Sequence, residues 1–223
     1  MINFDDARKV ITEIFNDITI EDMYEEGYGI TAVSFSRALG LRNGINLYHG
    51  ATRGVIAPYN KNYVFKINFT TRERFNDSDN IVEEEVYERT ELTYDYCEEE
   101  EKFFIEATAN NLAPYFAKMS FLGIIKGIPI YIQEKAILFI DGDYYCSHSS
   151  DIYNEVRNVE SEYCATDFLP TDWMADFIDI YGTVELERLC QFLDDCGIND
   201  LHEGNVGYID QSPVIVDYAG WYN

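Results

Sequence analysis

Near its C-terminal end the chain reads Gly197-Ile198-Asn199-Asp200-Leu201-His202-Glu203-Gly204-Asn205-Val206-Gly207, and a little further on Val214-Ile215-Val216-Asp217-Tyr218-Ala219-Gly220. Asp200 and Asn205 stand in a D-L-x-x-x-N spacing, which one rigid turn can aim into a single cleft. Asp217 closes a β-branched aliphatic run of strand character and precedes an aromatic and a glycine. Two carboxylates and an amide arriving from a loop and a strand offer hard oxygen ligands for a divalent cation, and a carboxylate to take a hydroxyl proton. The plainer alternative is a helix C-terminal turn at Asn199-Asp200 and a strand-end residue at Asp217, because Asp, Asn and Gly favour turns for local reasons. The register of the three positions around an intervening Gly-Asn-Val-Gly favours the chemical reading.

The same loop also reads D-x-H-x-x-N, the form found in small-molecule kinases. On these motifs the chain resembles the protein-kinase-like fold, the superfamily of protein kinases and aminoglycoside phosphotransferases. The resemblance covers about residues 45–221 and is specific from Gly197 onward. It implies an α+β fold in two lobes, with an antiparallel sheet in the N-lobe and a shortened helical C-lobe. It also implies ATP and Mg²⁺ as cofactors, with Asn205 and Asp217 on the metal and Asp200 accepting the proton of the hydroxyl. No activation segment comes after Asp217, so the C-lobe is expected to be truncated.

Working back from that loop, Val184 to Cys196 reads as a helix with Leu186, Leu189, Cys190, Phe192 and Leu193 as its buried stripe. Thr183 is its expected N-cap and Gly197 its C-terminal stop. Asp172 is expected to cap a preceding helix through Tyr181. Asp141, Asp143 and His148 lack the oxygen spacing of a calcium loop. Ile128 to Ala136 is strand-like and, on the resemblance, leads into the interlobe hinge. There the backbone from Gln133 to Ala136, Glu134 and Ala136 included, would meet an adenine ring backed by Ile132.

The remaining expectations lie upstream. Residues 4–16 and 31–39 carry helical periodicity. Residues 45–57 read as a strand, a glycine turn and a second strand, and Tyr63 to Phe69 as a third. The resemblance makes Gly50, Arg53 and Gly54 a phosphate loop, although they do not form G-x-G-x-x-G, and Lys66 the lysine on the phosphates. The bland alternative for Lys66 is a surface lysine on an edge strand. Thr70 to Thr93 is polar and acidic and reads as a solvated connection. A helix from about Tyr94 to Asn110 carries Glu98 to Glu101, of which Glu99 or Glu100 falls on the buried face. Glu100 is chosen as the partner of Lys66. The domains expected are a helical extension at 1–44, an N-lobe at 45–136 and a C-lobe at 137–223.

Composition bounds what the chain does. Sixteen basic against 41 acidic residues leave a net charge of −25, which argues against direct nucleic-acid binding through a basic face. Solubility is the plain account of that charge; a basic host protein, or mimicry of nucleic acid, is the sharper one. No apolar run has the length of a membrane span, and Met1-Ile2-Asn3-Phe4-Asp5-Asp6 lacks the basic start of a signal peptide. Five scattered cysteines without CxxC suit reduced thiols, so a cytoplasmic protein is expected. The leading function is an ATP- and Mg²⁺-dependent phosphotransferase acting on an unidentified protein or small molecule. The alternative is a catalytically weak kinase-like binding protein (a pseudokinase), with an acidic phage-type inhibitor or nucleic-acid mimic as one form of it.

Overall fold

The computed structural model describes residues 2–40, 42–75, 86–142 and 148–219. The fold is α+β, with antiparallel sheets and, among the described residues, seven α-helices. The chain divides into two compact units, residues 1–99 with 119–134, and residues 100–118 with 135–223.

The first unit is built on a five-stranded sheet in the order β1-β2-β3-β7-β6. Its strands are β1 (Ile45–His49), β2 (Arg53–Pro58), β3 (Tyr63–Asn68), β6 (Met119–Ile125) and β7 (Ile128–Glu134), with β4 and β5 lying apart. All neighbours are antiparallel. A two-residue turn at Lys126-Gly127, both with positive φ, closes the β6–β7 hairpin in the mirror-image geometry that matches strand twist.

Helices α1 (Phe4–Ile14), α2 (Ile20–Met23) and α3 (Ala32–Leu39) contribute to the same core. Ala7, Ile11 and Phe15 join Phe35 and Leu39 against Phe65, Ile67, Ile130 and Ile132, all buried. Helices α1 to α3 thus share the core of the sheet. Helix starts are satisfied locally: Asn3 accepts from Asp5 and Asp6, and Thr31 and Ser34 form a capping box.

The expected solvated connection is corrected where it is described. β4 (Thr71–Phe75) and β5 (Val86–Glu91) form an antiparallel ribbon, while residues 76–85 lie outside the described residues. The ribbon escapes an apolar-alternation reading because charge holds it. Arg89 pairs with Glu25 at 2.8 Å and Glu73 at 3.0 Å and covers the Tyr28 ring at 4.2 Å. Glu73 also accepts the backbone N–H of Val33 at 3.0 Å, tying the ribbon to the start of α3.

The cut between units runs through α4 (Tyr96–Ala109) after Glu99, so residues 100–118 count with the second unit rather than with the N-lobe span of 45–136. Phe116 bridges to Ile215 in parallel, and Ala117 donates to the Ile215 carbonyl at 2.8 Å, which accounts for that assignment.

In the second unit, α5 (Ser150–Glu160), α6 (Thr171–Tyr181) and α7 (Thr183–Cys196) pack beside a small sheet ordered β10-β9-β8. Its strands are β8 (Ile137–Leu138), β9 (Val206–Ile209) and β10 (Ser212–Ile215). Trp173, Met174, Phe177, Leu186, Leu189 and Leu193 are fully buried from these helices.

Two caps differ from expectation. Pro170 occupies the N-cap of α6, and Asp172, one position into the helix, accepts from the Tyr153 hydroxyl at 2.8 Å instead. Gly182, with φ of 88°, caps α7, so Thr183 is its first residue and its hydroxyl donates to Glu155. Gly197 ends α7 in the left-handed conformation, as its position predicts.

Candidate functional site

Helix α7 delivers the loop, and β9 and β10 fix the segment beyond it. Asn205 is the hub. Its side-chain N–H donates to the Asp200 carbonyl at 2.6 Å, and its own carbonyl accepts from Val216 at 2.8 Å and Asp217 at 3.2 Å. Its backbone N–H donates to the His202 carbonyl at 2.8 Å. One buried amide residue thereby binds both the Asp200 turn and the Asp217 segment, so the three motif positions converge in the second unit. Asp200 and Asp217 are half-buried, poised between core and solvent.

Glu100 reaches the same segment. Its carboxylate, with no exposed surface, accepts the backbone N–H of Tyr218 at 3.2 Å, directly after Asp217. The Tyr218 hydroxyl donates to the Ala117 carbonyl at 3.0 Å, and its ring meets Phe116 edge-on. Together with the Ala117–Ile215 bond, these contacts anchor the Asp217 segment. Gly220 lies outside the described residues.

Helix α6 holds the other side of the loop through β9. The Trp173 indole donates to the Gly207 carbonyl at 3.2 Å, and Asp176 accepts from the Tyr208 hydroxyl while His148 meets its other oxygen at 2.9 Å. Gly207 has no room for a side chain, since a Cβ there would stand 2.3 Å from the Ile137 carbonyl oxygen. His148 is therefore engaged with Asp176, and Asp143 lies outside the described residues. Sequence reasoning missed Asp176, Trp173 and Tyr218. The buried aromatic-acid mixture within α6 was the signal available for the first two.

The remaining candidates belong to the first unit. Lys66 is on β3, between β2 and β7, facing Val55 and Tyr131 in register. It is 3% exposed on a central strand, so the edge-lysine alternative does not describe it. A lysine is rarely buried to this degree without a partner or a task.

The β1–β2 turn is short, with Gly50 N–H donating to the Arg53 carbonyl at 3.0 Å. Arg53 is buried, lies 5.8 Å from the Tyr96 ring and donates to the Tyr96 carbonyl at 3.5 Å. At Gly54 a Cβ would come within 2.6 Å of the Phe35 ring, so helix α3 requires a glycine there. Arg53 and Gly54 thus have packing roles inside the first unit, while Gly50 is exposed, with open space where a Cβ would stand. Glu134 ends β7, and the chain enters the second unit at Lys135, one residue before Ala136.

The donor chemistry fits a hard cation. Among the described residues no group of three or more His, Cys, Asp or Glu side chains is placed to hold a metal. Asn205 and Asp217 offer one amide and one carboxylate oxygen, a sparse set suited to Mg²⁺, which keeps water and phosphate oxygens as its other ligands. Among the described residues no helix is long and apolar enough to cross a membrane. Comparison with protein-family models, with curated proteins and with solved structures found no match to this chain.

Proposed function

We propose that this chain is a Mg²⁺-nucleotide-dependent phosphotransferase of kinase-like type, its chemistry carried by the second unit. The observation that carries the reading is the Asn205 hub, which binds the Asp200 turn and the Asp217 segment into one structure. Asn205 and Asp217 would hold Mg²⁺, which supplies charge neutralisation on the nucleotide phosphates. Asp200 would accept the proton of the attacking hydroxyl, on a protein or small-molecule acceptor. Glu100 holds the backbone beside Asp217 in place. Lys66, Gly50, Arg53, Gly54, Glu134 and Ala136 stand as further candidates for nucleotide contacts, to be tested one by one.

The test is thermal unfolding with and without Mg-ATP, in the native chain and in Asp217→Ala. Ligand at a hundredfold excess over its dissociation constant adds about 2.7 kcal/mol, which for a chain of this size raises Tm by about 5–10 °C. That rise is expected in the native chain and is expected to vanish in Asp217→Ala. Asp200→Asn should keep the rise and lose phosphoryl transfer. No rise in the native chain at millimolar Mg-ATP overturns the proposal.

The packing roles of Arg53 and Gly54 favour a second reading, a kinase-like binding protein that engages a basic protein partner without catalysis. In that case a partner complex survives both Asp200→Ala and Asp217→Ala and weakens steeply with salt.

A further inference from the structure

The His202 ring in the second unit is held in a way that its exposure does not explain. Its side chain is 56% exposed, so no apolar burial orients it. Instead the backbone N–H of Gly204 donates to Nδ1 at 3.0 Å. The ring also lies so close to Gly204 that a Cβ there would stand 2.9 Å from Cε1 and 3.2 Å from Nδ1. The backbone carbonyl of His202 is pinned separately, by Asn205 N–H.

A nitrogen that accepts a hydrogen bond carries a lone pair, so the proton of the neutral ring sits on Nε2. Nε2 is 3.8 Å from Oδ1 of Asp200. Side-chain hydrogen bonds at reacting groups are often long before substrate arrives and shorten in the loaded complex.

We infer that His202 is a positioning residue for Asp200: Gly204 sets its tautomer, and its Nε2–H holds one carboxylate oxygen so that the other faces the hydroxyl. The inference rests on the phosphotransfer reading of Asp200. No proton leaves the imidazole in this role. It supplies a fixed dipole toward the Asp200 carboxylate. The glycine at 204 leaves the ring its place, because a Cβ there would require the ring to shift.

Two experiments on the full chain test this. In ¹⁵N-histidine spectra, with the His202 signal assigned by its absence from His202→Gln, the neutral ring should be protonated at Nε2, and its signal should move in Asp200→Asn. A neutral ring protonated at Nδ1, or a signal indifferent to Asp200→Asn, overturns the inference.

In the second, Mg-ATP hydrolysis is followed in the native chain and in His202→Ala, His202→Asn and His202→Gln. Loss of orientation is expected to lower kcat about 10- to 100-fold in His202→Ala, with KM for Mg-ATP within about twofold. Glutamine, which can place a donor near the Nε2 position, should restore most of kcat. Asparagine, which can only accept from Gly204, should restore melting temperature but not kcat. Equal rescue by both amides would mean that the ring merely braces the loop, and would overturn the inference. Absence of turnover in the native chain overturns the phosphotransfer reading and this inference with it. A wrong tautomer, by contrast, removes the inference and leaves the reading standing.

Discussion

Glu100 shows how much a single buried side chain does here. Its carboxylate takes the Tyr218 N–H across a separation of 118 residues, so the bond joins α4 to the segment after Asp217. Glu100→Ala strands that buried N–H and is expected to cost about 1–3 kcal/mol in urea unfolding. Glu100→Gln keeps an acceptor and should cost less. A contact of that span is invisible to local spacing. The sequence could say only that Glu99 or Glu100 faces inward, whereas Asp200, Asn205 and Asp217 were legible because a loop and its hairpin are short-range features. The thiols offer a second test. Burial pushes Cys190 up to about 12, and burial also pushes Cys196 up to about 11. Both are raised in the folded chain, so the unfolded chain ionises first. The stability they contribute is intact below the ordinary thiol range near 9 and is lost as pH climbs toward 11 and 12. Urea midpoints should therefore fall with rising pH above about 9, and the slope should be shallower in Cys190→Ala.

At the scale of elements, caps decide where helices begin. Asp95 accepts from the N–H groups of Cys97 at 2.9 Å and Glu98 at 3.1 Å at the head of α4, while burial raises its pKa above the usual carboxylate value. Asp95→Ala should destabilise by about 1 kcal/mol through loss of the cap. Asp95→Asn keeps the cap without the buried charge and should unfold at a denaturant concentration no lower than the native chain. Helices α1, α3, α4 and α7 could be read from apolar periodicity and glycine stops, and β1, β2, β3 and β7 from β-branched runs. What escaped was structure held by polar groups. The β4–β5 ribbon is fastened by Arg89 and its acids, and no sequence reading placed α5, whose buried residues are Val156 and Val159. The β9–β10 turn falls at Asp210-Gln211, where two non-glycine residues take positive φ and the usual glycine signal is missing.

For the molecule as a whole, a net charge of −25 is a standing repulsion within the folded state. Added NaCl should relieve it, so Tm is expected to rise between about 10 mM and 150 mM salt, as the screening length shortens from about 30 Å to 8 Å. The division of the chain into units has a further consequence, in the order of synthesis. The first unit is not a continuous segment: strands β6 and β7 come from residues 119–134, after the chain has already laid down 100–118 for the second unit. Strand β3, which carries Lys66, pairs on one side with β7, and that neighbour does not exist until Glu134 has left the ribosome. A growing chain therefore presents an open sheet edge for the time needed to translate residues 69–134. At about 5–20 residues per second that interval is several seconds, far longer than a hairpin takes to form.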